Sequence, residues 1–465
     1  MKKKHLVIVG VIILSAIVIL GLYQTFALSS DITKDTSGYY NVTITDGTTI
    51  TVPAGSTKTV YYKLTNTNKG IVKYGVGYSG TNITVKYYTD TIDPVTGTVD
   101  YGKSKYIKLS VENTGTTSST ATLSTILGYE NGGDLIVPSG VTLVTEKKSP
   151  LSSYITNLYN NATKTAVINN SITYQYDTTH SLMKDIDGNI RYYGASPNNY
   201  IYFNCSDYSN QSASTCETWR IIGVFEGKVK LIRGSQIGTY AWDNKNTSTG
   251  AETAYGKNDW AEARLMKLLN PGYESETTGG SLYYNAKSGN CYAWQNNATK
   301  TCNFTSTGIK NDITRNLISD TTYYLGGYNS TEVYSNEIYE KERGGAVYTG
   351  RPTTWTGKIA LAYPSDYGYA ADLSKCSQTL YNYNDSTCTS NNWMKSIVAP
   401  NYGWLLTPNS GLADITWHVY SSGFVDYSGY YAFNANGVTP VLYLDPSVDI
   451  KPGTGSSSAP YQLSI

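Results

Sequence analysis

Residues 203–233 read FNCSDYSNQSASTCETWRIIGVFEGKVKLIR, a polar loop between two cysteines followed at once by two apolar runs. The runs meet at Glu226 and Gly227, and apolar runs around a short turn are typical of a β-hairpin. Cys205 and Cys216 bracket mainly Ser, Asp, Tyr, Asn and Thr, which suit a surface loop. The stretch therefore predicts a sheet whose polar loops are closed by disulfide bonds.

All six cysteines follow this arrangement. They form three local couples, which are Cys205 with Cys216, Cys291 with Cys302, and Cys376 with Cys388. Six cysteines allow several pairings, but couples so close in sequence most simply close on themselves. Each ring contributes roughly 3 kcal/mol to stability. The alternative, a zinc site, needs closer cysteine spacing or histidine partners, so we expect three disulfides and an oxidising compartment.

Charge excludes one large class of partners. The chain has 36 Lys and Arg against 35 Asp and Glu, so it has no broad basic field to attract a phosphate backbone. We therefore expect no nucleic-acid partner. Tyrosine is abundant, with 45 Tyr against 6 Phe, and tyrosine is favoured at recognition surfaces.

Residues 1–27 combine a lysine cluster with a long apolar run. Lys2, Lys3 and Lys4 precede apolar residues 6–26, which are long enough to cross a bilayer core of about 20 residues. The lysines favour a cytoplasmic N-terminus. A cleaved signal peptide is the alternative, although its apolar region is usually about 7 to 15 residues long. We expect a transmembrane signal-anchor and a single-pass cell-membrane protein whose bulk is extracellular.

Residues 28–148 alternate apolar and polar side chains between turns such as Asp-Gly and Asn-Thr-Gly. This period of two predicts an all-β sandwich of immunoglobulin-like type, acting as a spacer. Residues 149–171 contain Ile155, Leu158 and Tyr159 on one helical face, and they predict a helical linker.

Residues 172–465 carry all six cysteines and all eight tryptophans. NDWAEARLMKLLNPG predicts a helix capped by Asp259, with Leu265, Leu268 and Leu269 facing inward. STEVYSNEIYEKERGG predicts a second helix, which ends at Gly344. Strand-like runs surround both helices. This region is therefore predicted to be an α+β module.

Five segments of this region, in this order, carry a resemblance to a known family. They are DIDGNIRYYGASPNNYIYFN, WRIIGVFEGKVKLIR, NDWAEARLMKLLN, YGWLLTP and NANGVTPVLYLDPSV. The region resembles bacterial surface domains of unknown function whose fold is related to C-type-lectin-like and formylglycine-generating-enzyme-like modules. The family usually has Gly-Val-Arg-Pro where this chain has Thr439 as the third residue. The resemblance implies a C-type-lectin-like module with a variable face near the C-terminus.

The segment matching that variable face is residues 415–436. Tyrosine joins a large apolar ring to a polar tip, and it binds at low entropic cost. The candidate ligand-binding residues are Trp417, Tyr420, Asp426, Tyr427, Tyr430, Tyr431 and Asn434.

The sequence offers little material for catalysis or metal binding. His5, His180 and His418 are the only histidines, so a catalytic triad or a histidine metal site is not expected. Asp185, Asp187 and Asn189 resemble the start of a calcium loop but lack its late glutamate, so we interpret them as a hairpin turn. No catalytic residue, metal or cofactor is predicted. A carboxylate pair for glycoside cleavage stays open, because sequence spacing does not reveal it.

The predicted fold class is therefore multidomain, with an N-terminal transmembrane helix, an immunoglobulin-like sandwich and a C-terminal α+β C-type-lectin-like module. The predicted function is a non-enzymatic, membrane-anchored surface protein that presents this module for adhesion to a surface glycan or protein. The alternatives are an envelope enzyme acting on glycans or protein side chains, and a structural envelope subunit.

Overall fold

The computed structural model describes residues 27–34, 40–44, 49–67, 70–88, 91–128, 135–148, 150–451 and 453–464. For residues 27–34 and 40–44 only the backbone is considered. The chain divides into two compact units, Met1–Ser149 and Pro150–Ile465.

The described part of the first unit consists of β-strands. They are β1 (Ala27–Lys34), β2 (Tyr40–Ile44), β3 (Thr49–Val52), β4 (Thr57–Asn66), β5 (Val72–Ser79), β6 (Ile83–Tyr88), β7 (Thr96–Val99), β8 (Ser104–Asn113), β9 (Ser119–Leu127), β10 (Thr142–Leu143) and β11 (Lys147–Lys148). One sheet has the order β11-β6-β8-β4-β1-β2, and the other has the order β10-β5-β9-β3 with β7 paired to β5.

The two sheets of the first unit share one core. Alternate residues of β4, including Tyr62 and Leu64, are buried, and they meet buried residues of β5 and β9 such as Val76 and Leu123. Alternation puts successive side chains on opposite faces, so each sheet has one apolar face to bury. The first unit is thus a two-layer β-sandwich.

The second unit contains strands throughout its length. They are β12 (Thr165–Asn169), β13 (Ile172–Asp177), β14 (Leu182–Lys184), β15 (Ile190–Tyr192), β16 (Tyr200–Phe203), β17 (Glu217–Phe225), β18 (Lys228–Arg233), β19 (Thr239–Tyr240), β20 (Ser288–Tyr292), β21 (Thr299–Asn303), β22 (Thr321–Tyr324), β23 (Thr354–Gly357), β24 (Ile359–Ala360), β25 (Gly403–Pro408), β26 (Thr416–Val419), β27 (Val425–Asp426), β28 (Asn436–Gly437), β29 (Val441–Tyr443), β30 (Asp449–Lys451) and β31 (Gln462–Ser464).

Its helices are short. The α-helices are α1 (Leu151–Asn161), α2 (Arg264–Leu269), α3 (Asp312–Asn316), α4 (Ser335–Arg343), α5 (Pro364–Tyr369), α6 (Ser386–Thr389) and α7 (Lys395–Val398). Short 3-10 helices span Thr247–Thr249, Trp260–Glu262 and Leu380–Asn382.

The predicted hairpin of residues 219–233 lies at the centre of the main sheet. This sheet has the order β12-β13-β14-β15-β17-β18-β29-β24, with β16 paired to β17. Glu226 and Gly227 both have positive φ, 50° and 79°, as a tight two-residue hairpin turn requires. At Gly223, beside a register shift, a Cβ atom would lie 2.1 Å from the Ile190 carbonyl oxygen, so only glycine allows β15 to approach.

A second sheet contains part of the predicted ligand-binding segment, in strands β26, β27 and β28. Its order is β19-β28-β25-β26-β27, and β25 and β28 run parallel. Three two-stranded sheets, β20 with β21, β22 with β23 and β30 with β31, complete the unit.

The three predicted disulfides are confirmed: Cys205–Cys216, Cys291–Cys302 and Cys376–Cys388. The first closes the loop between β16 and β17, the second joins β20 to β21, and the third closes the loop between α5 and α6. Such bonds persist outside the reducing cytoplasm.

The predicted helices are confirmed only in part. Helix α1 buries Ile155 and Tyr159, and α4 ends at Gly344 as expected. The helix predicted over NDWAEARLMKLLNPG is broken, because Ala263 is extended with ψ of 139° between a 3-10 turn and α2. Asp259 makes no capping hydrogen bond, and its buried carboxylate lies 3.6 Å from the Lys257 ammonium instead.

The predicted fold class and localisation are wrong. Among the described residues strand outweighs helix, at 36% against 13%, so the protein is mainly β and the predicted combination of a transmembrane helix with an α+β C-type-lectin-like module is not what the structure contains. Among the described residues no helix has the length and apolar character to cross a bilayer, so the predicted single-pass cell-membrane localisation is not supported. The proposed anchor, residues 6–26, lies outside the described residues.

Candidate binding pocket

A pocket of about 500 Å³ opens in the second unit. Its aromatic lining is Phe225, Tyr324, Tyr339, Tyr363 and Tyr443. Its polar lining is Asp187, Asn189, Glu226, Lys228, Thr321, Thr322 and Arg343. Aromatic walls with a few convergent polar groups are typical of small-molecule sites.

Distant parts of the chain meet at this pocket. Lining side chains come from the turn between β14 and β15, the turn between β17 and β18, strand β22, helix α4, the residue before α5 and strand β29. The β14–β15 and β17–β18 turns lie at the same end of neighbouring strands, so the pocket lies at that end of the main sheet.

The β14–β15 turn is held by Asp185 and tied to α4. The Asp185 carboxylate accepts hydrogen bonds from the backbone N–H groups of Asp187 and Asn189, at 3.1 and 3.0 Å. The Asn189 amide donates to the Tyr339 hydroxyl, which donates to the Asp187 carboxylate, both at 2.9 Å. The hairpin-turn interpretation of these residues is therefore correct, and within the described ranges no cluster of three His, Cys, Asp or Glu side chains is suited to a metal ion.

Arg343 is the main cationic group of the pocket wall. Its guanidinium carbon lies 3.4 Å from the centre of the Tyr339 ring and 5.2 Å from that of Tyr324. Its Nη1 donates to the Tyr339 carbonyl oxygen at 3.3 Å and faces the Glu342 carboxylate at 3.4 Å. Within the described ranges, Nε and Nη2 have no acceptor at hydrogen-bond distance, and the side chain is 19% exposed. This edge of the guanidinium is therefore available to a ligand.

The hydroxyl of Tyr363 fixes one wall of the pocket. It accepts a hydrogen bond from the Tyr324 N–H at 2.8 Å and donates to the Tyr324 carbonyl oxygen at 3.0 Å. On β18, Lys228 donates to Thr321 Oγ1 at 3.2 Å, which joins the hairpin to β22. The walls are thus braced by hydrogen bonds before any ligand binds.

A buried ion-pair network lies around the same strands and helices. Arg191 donates to Asp185 at 2.6 Å and to Asp366 at 2.9 Å, and Lys230 donates to Asp366 at 2.5 Å. Burial lowers the pKa of Lys230 to about 8, although Asp366 opposes the shift. Burial acts to raise the pKa of Asp366, but Lys230 and Arg191 outweigh it and hold that pKa below its ordinary value.

Glu342 is a second buried carboxyl, on α4. Its oxygens accept hydrogen bonds from the Ser365 N–H at 2.9 Å and from the Ser365 hydroxyl at 2.5 Å. Burial raises the pKa of Glu342 to about 7, so the group is close to half protonated at neutral pH. Because its side chain is fully buried and bonded to Ser365, Glu342 is not presented to the pocket.

The ligand-binding residues predicted from sequence lie elsewhere in the second unit, and none of the seven lines this pocket. Trp417 and Asp426 are buried, whereas Tyr420, Tyr427, Tyr430, Tyr431 and Asn434 are partly buried.

The structure brings some of these residues together. The rings of Tyr420 and Tyr430 each lie 4.7 Å from the ring of buried His418. Trp417 and Tyr427 pack at 5.4 Å. Tyr431 stacks instead on Tyr255, at 4.5 Å. The predicted face is thus partly an aromatic packing cluster.

The comparisons with known proteins identify no relative. No family model, curated protein or solved structure matches the chain. Nothing therefore bears on the resemblance to C-type-lectin-like or immunoglobulin-like domains, which stays a prediction.

The sequence correctly placed Asp187 and Asn189 in a turn and Arg343 in a helix. It did not indicate that these side chains meet, so the pocket was missed. One signal was present in α4, where Tyr339 and Arg343 are four residues apart and therefore lie on one helical face. Nothing in the sequence indicated that Tyr363 and Tyr443 face the same space.

Proposed function

We propose that the protein is a non-enzymatic extracellular binding protein, and that the pocket of the second unit binds an acidic saccharide. Tyrosine rings provide apolar faces for a sugar ring and hydroxyl groups for its polar edge. Extracellular placement is supported by the three disulfides.

The observation that carries the proposal is the free edge of Arg343. Stacking on Tyr339 orients the guanidinium, and its Nε and Nη2 groups have no acceptor among the described residues. Two parallel N–H groups match the two oxygens of a carboxylate. A saccharide bearing a carboxylate would therefore meet both a fork of donors and aromatic faces.

The enzymatic alternative has less support in this pocket. A general acid for glycoside cleavage needs a raised pKa and a position within reach of the ligand. Glu342 has the raised pKa, but its carboxyl is buried and bonded to Ser365 rather than directed at the pocket. Asp187, which does line the pocket, accepts a hydrogen bond from Tyr339.

The test uses the oxidised protein on an array of acidic glycans and their carboxyl-methylated counterparts. We expect binding to the free acids, with a loss of about tenfold or more for Arg343→Lys, which keeps the charge but not the donor fork. Tyr427→Ala and Tyr430→Ala, which change the face predicted from sequence, serve as controls and should bind normally.

The opposite pattern would contradict the proposal. Binding that survives Arg343→Lys and disappears in Tyr430→Ala would place the site on the predicted face. Absence of binding to every acidic glycan by the folded protein would favour a structural role, and turnover of a bound glycan would favour an enzyme.

A further inference from the structure

Lys230 on β18 and Asp366 on α5 bring an amine and a carboxylate into direct contact inside the second unit. The Lys230 Nζ atom lies 2.5 Å from Asp366 Oδ2, and both side chains are only 1% exposed. We propose that these two residues condense into an intramolecular amide bond with loss of one water, so that the chain carries a covalent cross-link between β18 and α5. The proposal is independent of the pocket's ligand.

The surroundings of the pair favour the amide over the ion pair. Rings of Tyr363, Phe225 and Tyr443 lie 4.4, 5.3 and 5.4 Å from the Lys230 ammonium. Water has little access to this site, and a buried ion pair is stabilised poorly there because both charges have lost their hydration. Condensation removes both charges. Hydrolysis of the amide would need a water molecule at this site, where water has little access.

The step balances without any other reactant. The ammonium of Lys230 transfers a proton along its hydrogen bond to Asp366 Oδ2, which leaves a neutral amine and a neutral carboxylic acid. The amine lone pair attacks Cγ of Asp366, and the bond from Cγ to Oδ2 breaks. Oδ2 takes a second proton from the nitrogen and leaves as water, so an N–C bond replaces a C–O bond.

Neighbouring donors are placed to assist this reaction. The Arg191 Nη1 group donates to Asp366 Oδ1 at 2.9 Å, where negative charge develops when the amine adds to Cγ. Arg191 is itself held by Asp185 at 2.6 Å. The Tyr363 N–H donates to Oδ2 at 3.0 Å and fixes the carboxyl plane. Burial lowers the pKa of Lys230 to about 8, toward the neutral amine, whereas Lys230 and Arg191 hold the pKa of Asp366 below its ordinary value, so the proton transfer is the uphill part of the step.

The chain offers a matched internal control. Lys267 Nζ lies 2.6 Å from Glu276 Oε1, a contact of similar length, but the two side chains are 26% and 35% exposed. Water solvates both charges there, so this pair is expected to remain an ion pair.

The experiment is a peptide map of the full chain by mass spectrometry after reduction, denaturation and digestion with trypsin. A lysine in amide linkage is not cleaved, so we expect peptide 229–233 joined to peptide 359–375, at their summed mass less one water. Peptides containing Lys267 and Glu276 should be recovered unlinked.

Three variants complete the test. Lys230→Arg and Asp366→Ala should each abolish the joined peptide, whereas Lys267→Arg should leave it intact. Recovery of peptide 359–375 alone, together with cleavage after Lys230 in the wild-type protein, would overturn the proposal whether or not the variants fold.

Discussion

Replacing Glu342 with glutamine should remove a pH-dependent loss of stability from the second unit. The Glu342 carboxyl is fully buried, and burial raises its pKa from 4.5 to about 7. The folded protein therefore keeps this proton up to about pH 7, whereas the unfolded chain releases it near pH 4.5. Between these values the unfolded state binds fewer protons than the folded state, so the free energy of unfolding falls as pH rises.

The size of the effect follows from the two pKa values. The interval from 4.5 to about 7 corresponds to roughly 3 kcal/mol, at about 1.4 kcal/mol for each tenfold change in proton concentration. Glutamine has nearly the same shape and no proton to release, and its amide oxygen can accept from the Ser365 N–H as the carboxyl does. Across this interval the free energy of unfolding of the wild type should therefore fall by about 3 kcal/mol relative to that of the variant.

The assay is denaturant unfolding followed by tryptophan fluorescence at a series of pH values. All eight tryptophans lie in residues 172–465, so the signal reports on the second unit alone. Glu340→Gln, an exposed change on the same helix, is the control and should leave the pH dependence as it is. Parallel stability curves for the wild type and Glu342→Gln from pH 4.5 to above 7 would refute the reasoning.

Three further changes test the fold and the buried histidine. Gly223→Ala should destabilise the second unit by about 3 kcal/mol or more, because the new Cβ would lie 2.1 Å from the Ile190 carbonyl oxygen. Gly227→Ala has open space around the new Cβ but a positive φ, so it should cost about 1 kcal/mol in the same denaturation assay. Equal losses of stability in the two variants would contradict this argument. Burial lowers the pKa of His418 from 6.5 to about 4, so the unfolded chain takes up a proton first as pH falls, and the wild type should lose roughly 3 kcal/mol between these values. His418→Phe should abolish this loss of stability at low pH. A variant whose free energy of unfolding falls with acid as steeply as that of the wild type would contradict the prediction.

Local features of the fold were predictable from the sequence. The hairpin at Glu226 and Gly227 follows from its turn residues and the apolar runs beside them, and the structure contains it at the centre of the main sheet. The disulfides follow from cysteines only eleven or twelve positions apart. These features depend on neighbours in the chain, which a sequence displays directly.

The fold class was not predictable in the same way. The segment around Asp259 has a helical pattern, yet packing buries the Asp259 carboxylate and breaks the helix at Ala263. The described chain is mainly β, and the helices of the second unit are short. Local propensity is a weak signal that tertiary contacts override.

At the candidate site, what the sequence shows and what only the tertiary structure shows differ most clearly. The sequence by itself determined an oxidised, strand-rich chain with abundant tyrosine and few histidines. Only the tertiary structure placed the Arg343–Tyr339 pair of α4 in one pocket with Tyr443, and Lys230 against Asp366 across 136 positions. The pKa values of these groups depend on burial and on the charge opposite them, and both arise only when distant strands and helices pack together.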